Sequence, residues 1–311
     1  MRVLVATDLS SHAEDALALV AGLAMPAGSA VRIVHVVEPF PAINALAPAE
    51  MLTLAAEGER EIMTELDRKA AMFRERAFVV QTALVIGRPA DMIVDEAQRF
   101  HADLVVMGSR GRRRVAATLL GSVSAEVVDR APCPVLVARG RALTRLILAE
   151  DGSEIAAAGA DLVTNVPALR ALPVHVVSVV DAPFPFTAAN SGDAGPSMHA
   201  AIQAYYDSLP SLREATSRIA SDRSTKLSAA GVTATAEMRE GDAADELIAA
   251  ATASHADGIV IGSHGRTGVS RLFLGSVART VLFNAPCSVL IVRAPVAVKN
   301  GAPRVAIPVA R

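Results

Sequence analysis

The segment His101-Ala102-Asp103-Leu104-Val105-Val106-Met107-Gly108-Ser109-Arg110-Gly111-Arg112 returns 154 residues later as His255-Ala256-Asp257-Gly258-Ile259-Val260-Ile261-Gly262-Ser263-His264-Gly265-Arg266. The register holds without a gap through Leu120-Gly121-Ser122-Val123 against Leu274-Gly275-Ser276-Val277, and on into Ala131-Pro132-Cys133 against Ala285-Pro286-Cys287. About half the aligned residues are identical, so the chain carries one structural plan twice. Its 311 residues suit two domains of about 150 each. The expected halves are residues 1–140 and 144–293, divided near Gly140-Arg141-Ala142-Leu143, with a tail over 294–311. Within the tail, Val305-Ala306-Ile307-Pro308-Val309 reads as a frayed end rather than an edge strand. Upstream of the glycines the offset becomes 143, pairing Asp8 with Asp151 and Val36 with Val179. The second copy therefore holds extra residues between its second and third strands. They fall around 183–210, where Pro, Gly, Ser and Asn cluster and a loop is expected.

Each copy alternates short β-branched runs with helical patterns, the mark of βαβ units and a parallel sheet. Residues 3–7, 31–37, 78–86, 104–107 and 135–138 read as the strands of the first copy. Residues 146–149, 174–180, 233–238, 259–261 and 289–292 read as those of the second. The runs are continuously apolar, as they must be when helices cover both faces of a sheet. Ser11-His12-Ala13-Glu14 reads as a capping box opening a helix, in which Ala13, Ala16, Leu17, Val20 and Leu23 follow at helical spacing. A long helix is expected over 48–75, another from Pro89 to Phe100 with the proline in its first turn, and a third over 122–130. The fold class is α/β: two tandem, open, mostly parallel five-stranded sheets with helices on both faces, Rossmann-like.

Composition narrows the function classes. Hydrophobic residues make up 52% and mean hydropathy is +0.38, yet no uncharged apolar run approaches the roughly 18 residues a spanning helix needs. The opening Met1-Arg2-Val3-Leu4-Val5 reads straight into a strand and has no signal-peptide pattern. A cytoplasmic location and no membrane partner are expected. A net charge of −2, the absence of Trp and 3% aromatics leave neither a basic footprint nor a stacking platform for nucleic acid. Cys133 and Cys287 occupy matching strand starts and read as core thiols in a reducing compartment.

The chemistry lies in the glycine spacing: Gly108-x-x-Gly111, nine residues, then Gly121-Ser122, and again Gly262-x-x-Gly265, nine residues, then Gly275-Ser276. The first pair follows the carboxyl end of a strand, where open α/β sheets place their ligands. Glycine lets backbone N–H groups turn inward and approach an anion closely. The Gly-Ser pair starts a helix, so unpaired amides, the helix dipole and a hydroxyl converge there. Together they form a phosphate cradle that is neither a Walker A loop nor the dinucleotide G-x-G-x-x-G. A single G-x-x-G is a common tight turn. The whole spacing twice, each time ahead of a Pro-Cys strand, is not.

On these residues both halves resemble the universal stress protein family, and the chain as a whole resembles its tandem-domain members from residue 1 to 293. The resemblance implies an adenine nucleotide alpha hydrolase-like fold binding ATP or another adenine nucleotide, with Mg as an optional companion. It implies that the first copy binds through Asp8, Val36, Gly108, Arg110, Gly111, Gly121, Ser122 and Val123. The second would use Asp151, Val179, Gly262, His264, Gly265, Gly275, Ser276 and Val277. In each set the Asp and the first Val hold the adenosine end, and the glycine spacing with its Ser holds phosphates and ribose. The halves are expected to pair within the chain through their strand-five edges, as separate subunits do in single-domain relatives. A homodimer of the tandem and an unidentified protein partner stay open.

Two local departures suggest unequal sites. The first loop runs Arg112-Arg113-Arg114 where the second has Arg266-Thr267-Gly268, and Arg113 and Arg114 read as solvated. The second copy begins Glu150-Asp151-Gly152-Ser153 against Thr7-Asp8-Leu9-Ser10, which predicts a weaker cap and a carboxylate crowding the ligand. Plainer roles stand beside the functional ones. Asp8 and Asp151 could serve as helix N-caps, and His101 and His255 as cations complementing a helix C-terminus. The seven histidines show no metal spacing, and Ser122 and Ser276 have no readable His partner. No second carboxylate or Walker lysine accompanies the phosphate loop, so dedicated phosphoryl-transfer catalysis is not indicated. A regulatory nucleotide-binding protein is therefore the leading reading. A weak Mg-dependent ATPase and a ligand-free structural pseudo-dimer are the alternatives.

Overall fold

A computed structural model describes residues 1–39, 49–111, 120–181, 196–265 and 274–293. The first half runs β1 (Arg2–Ala6), α1 (Ser11–Gly22), β2 (Ala30–Val37), α2 (Ala49–Arg74), β3 (Val79–Ile86), α3 (Pro89–Arg99), β4 (Leu104–Gly108), α4 (Ser122–Arg130) and β5 (Val135–Ala138). The second runs β6 (Leu146–Ala149), α5 (Glu154–Asn165), α6 (Pro167–Arg170), β7 (Val174–Val180), α7 (Pro196–Ala229), β8 (Ala234–Glu240), α8 (Ala243–Ala253), β9 (Gly258–Gly262), α9 (Ser276–Asn284) and β10 (Ser288–Val292).

The strands form one sheet of ten, ordered β3-β2-β1-β4-β5-β10-β9-β6-β7-β8. Within each half every pairing is parallel. The halves meet where β5 and β10 pair antiparallel, with Leu136 opposite Leu290. The expected strand-five seam is thus present and fuses two five-stranded sheets into one. Successive strand residues feed opposite cores, which is why the strands read as unbroken apolar runs. Leu4 and Ala6 face a cluster with Ile93 and Ala97 of α3, Leu247 of α8 and Val281 of α9. Val3 and Val5 face Leu17 and Val20 of α1, Leu66 and Phe73 of α2, and Val163 of α5. Each cluster runs across the seam, so the halves share both hydrophobic layers. Among the described residues no helix is long and apolar enough to cross a membrane.

Two expectations need correction. The cap of α1 is Ser10, whose Oγ accepts from the Ala13 amide. Ser11 is instead the first helical residue, and Glu14 turns away to Lys69 at 2.8 Å rather than back to the cap. The loop expected around 183–210 is helical from Pro196 onward, and α7 runs through Pro210. The ring sits on an exposed face, where the carbonyl it strands one turn back, on exposed Tyr206, can reach water. Alanine and glutamine around it favour helix. Finally, His101 and His255 have φ of 50° and 53°. Each follows a helix end, and the next amide bonds back to Ala97 or Ala251 at 2.9 and 2.8 Å. They occupy the left-handed position of a Schellman turn at the helix end.

Candidate functional site

At the carboxyl ends of β1 and β6 the chain makes the same turn with different side chains. In the first half Thr7 Oγ1 accepts from the Leu9 amide at 3.1 Å, and Asp8 Oδ1 accepts from the Ser10 amide at 3.1 Å. In the second, Glu150 Oε1 accepts from the Gly152 amide at 2.7 Å, and Asp151 Oδ1 accepts from the Ser153 amide at 2.9 Å. The turn needs a left-handed residue. Gly152 supplies it freely at φ 80°, whereas Leu9 is held there at φ 62° against its own Cβ. Asp8 and Asp151 are therefore not the caps. They close an Asx turn, and the serines two residues on cap α1 and α5. The second cap is as well made as the first, with Ser153 Oγ accepting from Ala156 at 3.1 Å against 3.3 Å for Ser10 and Ala13. The expected weakening does not occur.

Both Asp carboxylates lie against the second glycine of the loop. A Cβ on Gly111 would stand 2.8 Å from Asp8 Oδ2, and one on Gly265 2.7 Å from Asp151 Oδ2. The glycine and the Asp, far apart in sequence, share one contact in each half. The first glycine of each motif is constrained from behind. A Cβ on Gly108 would meet the His12 carbonyl oxygen at 2.6 Å, so β4 presses on the backbone of α1. The matching Cβ on Gly262 would meet Ile155 Cγ2, a side chain, at 2.8 Å and the His264 carbonyl oxygen at 3.2 Å.

The loop between the glycine pairs closes at its base in the same way twice. Gly121 N donates to Ser109 O and Gly275 N to Ser263 O, both at 2.7 Å. Those glycines are the N-caps of α4 and α9, and among the described residues no side chain bonds their first-turn amides. Ser122 and Ser276 are exposed at the first helical position. The unpaired amides and the positive end of each helix dipole thus face the mouth of the loop, an arrangement suited to an anion.

In the second half these elements enclose a cavity of about 330 Å³. Asp151, Val179, Gly262, His264, Gly265, Gly275, Ser276 and Val277 all line it. Val177, Ala243, Leu247, Ile261 and Ala278 add an apolar wall. That wall was missed in the sequence because its members read simply as core. Its signal was the residue two before Val179 and the start of the helix after the third strand. Asp181 stands exposed at the rim. His264 sits beside Ser263, with Nδ1 3.1 Å from the Ser263 hydroxyl, and its buried Nε2 has no hydrogen-bond partner among the described residues. The buried Nε of Arg110, at the matching position of the first half, likewise has none. A buried polar atom left unsatisfied is costly, and a ligand acceptor would relieve it. Val36 and Val123 are half-buried beside the sheet core. Arg113 and Arg114 fall outside the described residues, as do Arg112 and 266–268.

Glu150 lines the cavity as expected, but not as a loose charge. Its carboxylate is buried against the Gly152 amide and forms an ion pair with Arg223 of α7. Its carbonyl accepts from Ser178 Oγ at 2.6 Å, where the first half uses His35 Nδ1 on Thr7 O at 2.8 Å. Among the described residues no three His, Cys, Asp or Glu side chains group so as to hold a metal ion.

The model of the universal stress protein family matches residues 1–139 and again 143–293. A universal stress protein of Thermus aquaticus is 37% identical over 138 residues, covering 44% of this chain and 97% of its own length. One from Mycobacterium tuberculosis is 28% identical over 238 residues, 72% of each chain. The crystal structure of a universal stress protein from Archaeoglobus fulgidus covers 94% of this chain and 98% of its own, at 18% identity and a TM-score of 0.63, a likeness of fold.

Proposed function

This chain belongs to the universal stress protein family, and from that premise we propose that each half binds one adenine nucleotide, ATP foremost, and that occupancy sets a conformation or assembly read by a partner protein in a cytoplasmic stress response. One observation carries the reading. The eight residues that the family resemblance selects in the second half, drawn from β6 to α9, line a single cavity. Its volume lies within the range of small-molecule pockets. The division of labour follows from chemistry. Val177, Val179 and Leu247 offer an apolar bed to a planar base, and Asp151 offers acceptors to ribose hydroxyls. The first-turn amides of α9, with Ser276 and His264 Nε2, offer donors to phosphate oxygens. The first half repeats the Asp–glycine contact and the uncapped helix start, with Arg110 as the cation. A metal ion accompanying the phosphates would add charge neutralisation.

The test is direct. Purified protein is heat-denatured and the supernatant analysed by mass spectrometry for released nucleotide, and separately incubated with ATP and Mg²⁺ while phosphate release is followed. Adenine nucleotide at up to two per chain with negligible turnover supports the reading. Sustained turnover lost in Gly111→Ala and Gly265→Ala variants would make the protein an ATPase instead. A chain that neither carries nor takes up nucleotide would be a structural pseudo-dimer.

A further inference from the structure

Arg139 and Arg293 stand 154 residues apart, one just past β5 and the other just past β10, in the register of the internal repeat. Each crosses the seam into the other half. Arg139 Nη1 donates to Cys287 O at 3.1 Å, and its Nη2 donates to Leu282 O in the last turn of α9. Arg293 Nη1 donates to Ala131 O at 3.0 Å, and its Nη2 to Asp129 O in the last turn of α4 at 2.5 Å. The opposite ends of these two helices, Gly275-Ser276 and Gly121-Ser122, are the uncapped starts that face the two candidate phosphate loops.

Resting on the nucleotide-binding reading, we propose that Arg139 and Arg293 are crossed positioning residues: each arginine anchors the phosphate helix of the opposite half, so that Arg139 serves the second site and Arg293 the first. A helix of nine residues is too short to hold its shape alone. Its place is set by what it packs on and by who satisfies its terminal carbonyls. A guanidinium fork does both at once, bonding carbonyls that a helix end leaves without an intrahelical partner and setting a cation at the negative end of the dipole. Burial lowers the Arg139 guanidinium to about 10, so it stays charged at neutral pH. Burial also lowers Arg293, and the nearby Asp129 opposes that shift. A further strut joins the same helices, with Arg279 of α9 at 3.3 Å from Asp129 of α4. The wiring runs from half to half in both directions, so the two sites share one mechanical frame.

The test separates crossed positioning from general scaffolding. With only the second site active (Gly111→Ala background), Arg139→Met should weaken ATP binding about fivefold, while Arg293→Met leaves it unchanged. With only the first site active (Gly265→Ala background), the pattern should reverse. Arg139→Lys, which keeps the charge but loses the fork, should restore part of the affinity. Amide hydrogen exchange on the ligand-free protein gives a readout that needs no nucleotide. Arg139→Met should speed exchange in α9 and spare α4, and Arg293→Met should do the opposite. Exchange that rises equally in both helices, or in the arginine's own half, overturns the crossed assignment whether or not nucleotide binds. Absence of ATP binding in the unaltered protein, with the crossed exchange pattern intact, refutes the nucleotide reading alone.

Discussion

The two halves build one site geometry on different supports. The turn after the first strand rests on Thr7 and on His35 in one half. In the other it rests on Glu150, held by Arg223, and on Ser178. The left-handed residue is Leu9 in one and Gly152 in the other. The long helix after the second strand has 26 residues in the first half and 34 in the second, and only the longer one supplies an arginine to the turn. Against this variation the Asp, its contact with the second glycine, and the uncapped helix start are the same twice. Most of what differs supports the backbone of the turn, where one hydrogen-bonding group can replace another, although His264 in place of Arg110 also changes the cavity side. What is kept is the Asp–glycine contact and the helix start on which the proposed phosphate site depends.

The largest expected difference lies at that exchanged support. The Glu150 side chain is 1% exposed and pairs with the half-buried Arg223, so Glu150→Ala removes the acceptor of both the Gly152 amide and this guanidinium and should cost about 2–3 kcal/mol in urea unfolding. Thr7→Ala at the matching position removes one hydrogen bond and should cost about 1 kcal/mol. Equal costs would mean that the ion pair is not structural. Next come the first glycines. Gly108→Ala drives a methyl into helix backbone and should cost about 1–3 kcal/mol. Gly262→Ala meets the Ile155 side chain, which can move, and approaches backbone only at the His264 carbonyl oxygen, 3.2 Å away, so it should cost about 1 kcal/mol. A reversed order in thermal unfolding would break the contrast drawn between backbone and side-chain packing.

The smallest effect concerns acid. The Lys69 ammonium holds Glu14 below the ordinary carboxylate value, and Arg68, then Lys69, hold Glu65 at about 2. Folded values below the unfolded one give stability that is complete above pH 4.5 and lost as pH falls toward 2. Both carboxylates are partly exposed, so solvent screening keeps the loss small. Lys69→Met should flatten this part of the denaturant-midpoint profile. In the second half Glu237 is lowered chiefly by its hydrogen bond to His175, and Lys69→Met should leave that contribution in place. An acid limb unchanged by the substitution would remove the α1–α2 ion pairs from the account.

Much of this was legible in the residues. The repeat, the parallel βαβ class with its continuous apolar strands, and the glycine spacing follow from local chemistry, whereas Asp8, Val36 and their counterparts Asp151 and Val179 came from the family resemblance. Other features were hidden because they depend on distant partners. Ser10 and Ser11 both suit a cap, and only the backbone turn fixed by Asp8 chooses between them. Glu150 reads as an intruding charge until Arg223, on a helix far along the chain, is seen to pair with it. Pro210 reads as a breaker because a sequence does not show that its ring faces solvent. Nothing local marks Arg139 and Arg293, since their carbonyl partners belong to the other half. The strand-five seam came from the family resemblance, not from residue spacing.

The central claim is that the duplication yields two working nucleotide sites, each closed by one Asp–glycine contact. Isothermal titration with ATP measures this most directly, on the unaltered chain and on Gly111→Ala and Gly265→Ala, whose new methyls displace only a carboxylate end. The account predicts two nucleotides per chain for the unaltered protein and one for each variant, all three equally folded. Two sites persisting in either variant, or a single site in the unaltered chain, would contradict it.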